Sequence, residues 1–170
     1  MIKIGLACDH AGFELKEFVK AYVEQNGYVC QDFGCYTSDS CDYPDYAHPL
    51  AEAVEIGETK KNLTILPSYD LTVSNPEKIR EDQGGVDLGI ALCGSGNGIG
   101  MTLNKHQGIR AAICWNVDIA KVTRAHNDAN ILVLPARFIS QKEAAEMVDI
   151  FLSTPFDGGR HQRRIEKIPI

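Results

Sequence analysis

Hydrophobic positions along this chain switch repeatedly between strand-like runs and helical spacing. Residues 2–7 form an apolar run of strand length. From Phe13 the period changes: Leu15, Phe18, Val19, Tyr22 and Val23 fall on one helical stripe, with Glu14, Lys16, Glu17, Lys20 and Glu24 on the other side. Asn26-Gly27 stops that helix. Residues 28–33 predict a second strand, and 34–41 a polar loop. Pro44 then suits the first turn of a helix. Its apolar positions Ala47, Leu50, Ala51 and Val54 step by three and four, and Gly57 is expected to end it.

Further strands are predicted at 88–92, 109–114 and 131–134. Helices are expected just after the glycines at 94–100, over 117–125 and over 141–152, the last with Ala144, Ala145, Val148 and Phe151 inward. Residues 156–164 add a basic helical segment. Five strands alternating with helices imply an α/β fold, a parallel sheet covered on both faces. Ligands of such sheets bind beyond the carboxyl ends of the strands, where the winding reverses. Three polar clusters, Cys8-Asp9-His10, residues 93–98 and His126-Asn127, are expected to converge there.

Residues 58–85 do not fit this rhythm. They hold two short apolar patches (63–66 and 71–73), Pro67, Asn75-Pro76 and a charged run over 77–82. A long connection without strong structural signals marks an insertion, a lid or a disordered loop. The chain is therefore expected to be a single domain over 1–170 with a surface insertion at about 58–85.

The stretch Cys93-Gly94-Ser95-Gly96-Asn97-Gly98-Ile99-Gly100 follows a buried strand and opens a helix. Glycines let backbone N–H groups approach a ligand, and the helix start adds positive potential, so the turn suits an anion or a developing oxyanion. A dinucleotide fingerprint fails on spacing, because the sixth position is Ile99 counted from Gly94 and Met101 counted from Gly96. No Gly-Lys-Ser or Gly-Lys-Thr is present, which excludes a P-loop. Cys93 lies against the loop amides, a setting in which a thiol acts as base or nucleophile. A buried, inert thiol in a tight turn fits the same residues.

The 170 residues carry a net charge of −6, and no basic stripe offers itself to a phosphate backbone, which argues against nucleic-acid binding. No apolar run reaches the roughly 18 residues of a membrane helix. The first ten residues meet an acidic side chain too early for a signal peptide, and the expected location is the cytoplasm. The six cysteines form no C-x-x-C pair, so a zinc site of familiar spacing is not expected.

With these residues in view, the chain resembles the ribose-5-phosphate isomerase B group of sugar-phosphate isomerases, which also includes the galactose-6-phosphate isomerase subunits. The resemblance is carried by Cys8-Asp9-His10-Ala11-Gly12, Asp42-Tyr43-Pro44, Cys93-Gly94-Ser95-Gly96-Asn97-Gly98, Asn104-Lys105 and Gly108-Ile109-Arg110-Ala111. It continues through Arg124-Ala125-His126-Asn127-Asp128-Ala129-Asn130 and Gly158-Gly159-Arg160-His161-Gln162. It implies a Rossmann-like three-layer αβα sandwich with a five-stranded parallel sheet. It also implies a homodimer or dimer of dimers with active sites between subunits, and interconversion of aldose and ketose phosphates through a cis-enediolate with no cofactor and no metal. Cys93 then matches the base, Ser95 a hydroxyl that shuttles protons, and the amides of Gly94, Ser95, Gly96, Asn97 and Gly98 the anion hole. One branch of the family replaces the cysteine by a later glutamate; the aligned position here is Ile99, which leaves Cys93 as the base.

By the same resemblance His126 is the ring-opening acid, with Asn127 beside it on the sugar, although a lone histidine at a helix end also serves as a cap. Asp9 and Tyr43 match sugar contacts, and His10, Arg137, Arg160 and Arg164 match phosphate ligands. Arg160 and Arg164, four apart, share a helical face. His161 and Arg163 are expected to be solvated. Segment 58–85 is shorter in that family; it enters at the amino end of the central strand, away from the chemistry, where it bears on oligomer packing. The reaction expected is ribose 5-phosphate to ribulose 5-phosphate. Galactose 6-phosphate, allose 6-phosphate or a tetrose phosphate are the alternatives within the class, and a non-catalytic sugar-phosphate-binding module is the alternative outside it.

Overall fold

The computed structural model describes residues 1–65 and 84–169. Strands β1 (Lys3–Cys8), β2 (Val29–Asp32), β3 (Leu88–Cys93), β4 (Ala111–Ile113) and β5 (Ile131–Pro135) form one sheet in the order β2-β1-β3-β5-β4. Every pairing is parallel, with Ile4 opposite Leu88, and Gly89 opposite Ile131. The helices are α1 (Phe13–Gln25), α2 (Pro44–Ile65), α3 (Asn97–Leu103), α4 (Val117–Asn127), α5 (Gln141–Ser153) and α6 (Arg160–Ile165). This is the expected α/β sandwich with a five-stranded parallel sheet.

Side chains alternate across the strands and divide the core in two. Ile4, Leu6, Ile90, Leu92, Leu132 and Leu134 pack with Leu15 and Val19 of α1 and with Met147, Val148 and Phe151 of α5. Ala7, Ala91, Cys93, Ile131 and Val133 pack on the other face with Leu50, Ala51 and Val54 of α2 and with Ile99 and Leu103 of α3. The alternation thus turns Cys93, last residue of the central strand, toward α2 and α3. Winding reverses between β1 and β3, which puts the crevice beyond Cys8 and Cys93.

One buried charge fixes the carboxyl end of β2. The Lys16 ammonium is fully enclosed and lies 2.8 Å from both Asp32 oxygens, and it donates to the Cys35 carbonyl at 2.9 Å. Burial raises the Asp32 carboxyl, but Lys16, the Gly34 amide and Lys20 outweigh burial and hold it below its usual value. Burial likewise pulls the Lys16 ammonium down, and Asp32 and Glu17 more than reverse this.

Helix α2 departs from the sequence expectation. It passes through Gly57 and ends at Ile65, so the first part of the presumed insertion at 58–85 is helical. Gly57 is a point of close approach rather than a stop: a Cβ there would sit 1.9 Å from the Val86 carbonyl oxygen. The Val86 N–H in turn donates to the Ala53 carbonyl at 3.0 Å, so the segment entering β3 lies backbone to backbone on the helix. The apolar patch 71–73, Pro67, Asn75-Pro76 and the charged run 77–82 lie outside the described residues, as do residues 66–83 altogether.

An alanine in a helix interior is normally worth about 1 kcal/mol over glycine. At Gly57 the steric conflict reverses the sign, and Gly57→Ala is expected to destabilise the protein by about 1–3 kcal/mol in chemical denaturation. A variant as stable as the parent, or more so, would contradict the contact.

Candidate active site

The carboxyl ends of β1, β3 and β5 gather one set of polar groups. Cys93 is buried at the end of β3, and the turn behind it, with Gly96 at φ 77, folds back so that the Gly96 N–H donates to the Cys93 sulfur at 3.1 Å. The Ser95 hydroxyl accepts from both the backbone and side-chain nitrogens of Asn97 at 3.3 Å. Tyr43, just ahead of α2, lies over the start of α3, its ring 2.6 Å from where a Cβ on Gly98 would be.

Strand β1 delivers Asp9 and His10 to the same place. The Asp9 N–H donates to the Leu92 carbonyl at 3.2 Å, and its carboxylate accepts from the Ala11 and Gly12 amides at 2.9 and 3.0 Å. His10 is held through Nδ1, 3.3 Å from both the N–H and the carbonyl of Cys41. From β5, the Ala136 and Arg137 amides donate to the Cys93 and Gly94 carbonyls at 3.0 Å, which brings the Arg137 side chain against the glycine turn. Asp9, His10, Tyr43, Cys93, Gly94, Ser95, Gly96, Asn97, Gly98 and Arg137 therefore share one end of the sheet.

His126, Asn127, Arg160 and Arg164 do not join them, which corrects the expected convergence. Helix α4 starts beyond the carboxyl end of β4 and must return to the amino end of β5, so its 11 residues carry the chain about 16 Å back across the sheet. His126 and Asn127 lie at its far end, beside α6. The Asp157 N–H donates to the Ala125 carbonyl at 2.9 Å, and the His126 ring stacks on that of His161 at 4.3 Å between centroids. His161, expected in solvent, is buried. Its pKa is lowered by burial and by the neighbouring His126, Arg160 and Arg164.

Among the described residues, donor atoms of His126, Asp157 and His161 all lie within 4.8 Å of one another, the spacing of a three-ligand metal site. Arg160, whose Nε is 3.4 Å from His161 Nε2, and Arg164 make this corner cationic, which suits an anion better than a metal ion. A separate polar cavity of about 420 Å³ at the amino ends is lined by Glu58, Arg110, Arg124, Asp128 and Asn130. Its charges are already paired, Glu58 and Asp128 with Arg110 and Asp128 with Arg124. Glu58, read from the sequence as the start of a loop, is thus a packed helical residue that also accepts from Asn130 at 2.8 Å.

A doubly wound parallel sheet with an anion-receptive turn and a hydrogen-bonded thiol at its switch point defines an α/β enzyme scaffold. The chain belongs to the ribose/galactose isomerase family, whose model matches residues 4–69 and 67–168. It is 36% identical over 168 residues to ribose-5-phosphate isomerase B of Escherichia coli, covering 99% of this chain and 95% of that protein. It is 38% identical to the putative sugar phosphate isomerase YwlF of Bacillus subtilis, covering 98% and 95%. The crystal structure of a ribose 5-phosphate isomerase from Thermotoga maritima superimposes with a TM-score of 0.82 at 44% identity, covering 99% of this chain and 97% of that one. Ribose-5-phosphate isomerase B from Mycoplasma genitalium, solved with bound ribulose-5-phosphate, gives a TM-score of 0.78 at 36% identity, covering 98% and 93%.

Burial pushes the thiols of Cys8 and Cys114 up to about 12, and that of Cys30 up to about 11. At pH 8 a thiol of pKa 12 is about one part in ten thousand thiolate. Timed alkylation of the folded protein at pH 8, read by mass spectrometry, is expected to modify Cys93 well ahead of Cys8 and Cys114. Labelling of either buried cysteine as fast as Cys93 would contradict the assignment.

Proposed function

We propose that this chain is an aldose–ketose isomerase that interconverts ribose 5-phosphate and ribulose 5-phosphate, without a metal, in a site built from two copies of the chain. The observation that carries the reading is Cys93 at the switch point, its sulfur accepting the Gly96 amide, in a chain of the ribose/galactose isomerase family. Moving a carbonyl between C1 and C2 requires an acid to open the furanose, a base for a carbon-bound proton and donors for the enediolate oxygens.

In this reading, His126 protonates the ring oxygen and takes the proton of the C1 hydroxyl, giving the open aldehyde. Cys93, as thiolate, removes the proton from C2; the electron pair moves into a C1–C2 double bond and the C1 oxygen becomes the enediolate oxygen. The turn amides of 94–98 hold that charge while Ser95 passes a proton between O1 and O2. Return of the proton from Cys93 to C1 completes the ketose. Asp9, Tyr43 and Asn127 orient hydroxyls, and His10, Arg137, Arg160 and Arg164 hold the phosphate; guanidinium forks suit that dianion.

In one chain the length of the strands separates His126, Asn127, Arg160 and Arg164 from Cys93, which supports their reaching it from a second molecule. The surface beside the turn favours such pairing: Met101, Trp115 and Phe138 are exposed, and Trp115 and Phe138 share a groove with Ser95 and Asn97. A closed two-fold pair would supply both halves to both sites.

Purified protein is expected to form ribulose 5-phosphate from ribose 5-phosphate in a direct absorbance assay. Cys93→Ala is expected to lower turnover by about 10²–10⁴-fold, the usual contribution of a general base. Turnover of a six-carbon or four-carbon aldose phosphate in place of ribose 5-phosphate would move the substrate within the class. Absence of ketose from every aldose phosphate, or full activity in Cys93→Ala, would overturn the reading.

A further inference from the structure

His161 is the one histidine among the described residues that is buried, and the mechanism above gives it no task. It lies on α6, a six-residue helix, and its ring is parallel to that of His126 within 5° at 4.3 Å. We propose that His161 is a positioning residue for the ring-opening acid: a neutral imidazole platform that fixes the plane of the His126 ring while Asp157 selects which ring edge faces the sugar. The inference rests on the reading of His126 as that acid.

Three observations carry it. Stacking restrains the tilt of the His126 ring but still permits a half-turn that exchanges its two nitrogens. The Asp157 carboxylate, 3.9 Å from His126 Nε2, distinguishes those two states. The contacts come from different segments, α6 and the loop before it, so together they define one orientation for a side chain that is otherwise 43% exposed.

The third observation is the charge of the platform. His161 Nε2 faces the Arg160 Nε–H at 3.4 Å, a contact that uses the lone pair of an unprotonated nitrogen. Burial, His126, Arg160 and Arg164 all favour that neutral form, and Asp157 alone opposes them. On α4 itself, the Arg124 guanidinium is committed to Asp128 at 2.7 Å and to the Ala129 carbonyl at 2.6 Å. A neutral ring beneath His126 accepts the proton-carrying form of that ring without repulsion, and its π face attracts the cation. Two protonated rings at this separation would repel.

The test separates ring chemistry from carbon chemistry. Ribulose 5-phosphate is acyclic, so exchange of solvent deuterium into its C1 position requires Cys93 but no ring opening. His161→Ala is expected to lower ribose 5-phosphate turnover about tenfold or more, chiefly in kcat. Deuterium exchange should remain within about twofold of the parent, because the enediolate machinery is untouched. His161→Phe, which stacks without a ring nitrogen, should restore turnover to within about threefold. In a His126→Ala background, His161→Ala should have no further effect on ring opening.

The proposal is overturned by unchanged turnover in His161→Ala, by parallel loss of turnover and exchange, by failure of His161→Phe to recover, or by a full additional loss in the His126→Ala background. Full activity in Cys93→Ala or His126→Ala would instead overturn the functional reading on which it rests.

Discussion

The polarity of a parallel sheet is the constraint on which this molecule turns. All five strands point one way, so each strand ends on the side where Cys93 lies and each returning helix ends on the other. Cys93 ends a strand, and His10 and Arg137 follow strands closely; His126 comes from the end of a helix. No rearrangement short of unfolding would bring Cys93 and His126 of one chain together. Under the proposed function a second copy removes the conflict, because a two-fold axis would set the amino-end corner of one molecule against the carboxyl-end crevice of the other.

The rest of the architecture serves the placement of Cys93. Strand alternation sends Cys93 to the α2–α3 face, and apolar packing of Ile90 and Leu92 on the opposite face prevents a register slip that would turn it around. The β1 loop is tied to the strand bearing the thiol by Asp9 N–H to the Leu92 carbonyl, and the β5 loop by Ala136 N–H to the Cys93 carbonyl. The enclosed Lys16–Asp32 pair adds a polar anchor at the end of β2, from which Lys16 also reaches the Cys35 carbonyl. Without Lys16 the Asp32 carboxylate would keep Lys20 and the Gly34 amide, and without Asp32 the enclosed Lys16 ammonium would keep Glu17 as its counter-charge.

Much of this was legible in the sequence. The alternation of strand-like and helical periods gives the sheet, its helices and the location of the glycine turn. The residues near Cys93 fall together because each follows a strand directly. What failed did so for physical reasons. Gly57 looks like a helix stop, since a glycine needed for close backbone approach is indistinguishable in one sequence from a glycine needed to end a helix. His161 sits among Arg160, Arg163 and Arg164, a composition that reads as solvated, and only tertiary contact with α4 buries it. His126 does not converge on Cys93 because in a β–α–β unit the helix that leaves the carboxyl end of one strand ends beside the amino end of the next. A helix stop at Gly57 would leave Glu58 in a loop, whereas the continuing helix packs it against Arg110 and Asn130.

Under the proposed function each active site takes its base from one chain and its acid from another. Mixing the inactive Cys93→Ala and His126→Ala variants, with exchange of subunits, tests it most directly. If the site is shared across a two-fold, half of the randomly formed pairs are mixed, each has one intact site, and about a quarter of the parent activity returns. Activity no greater than the sum of the two variants, with subunit exchange demonstrated, would contradict the account.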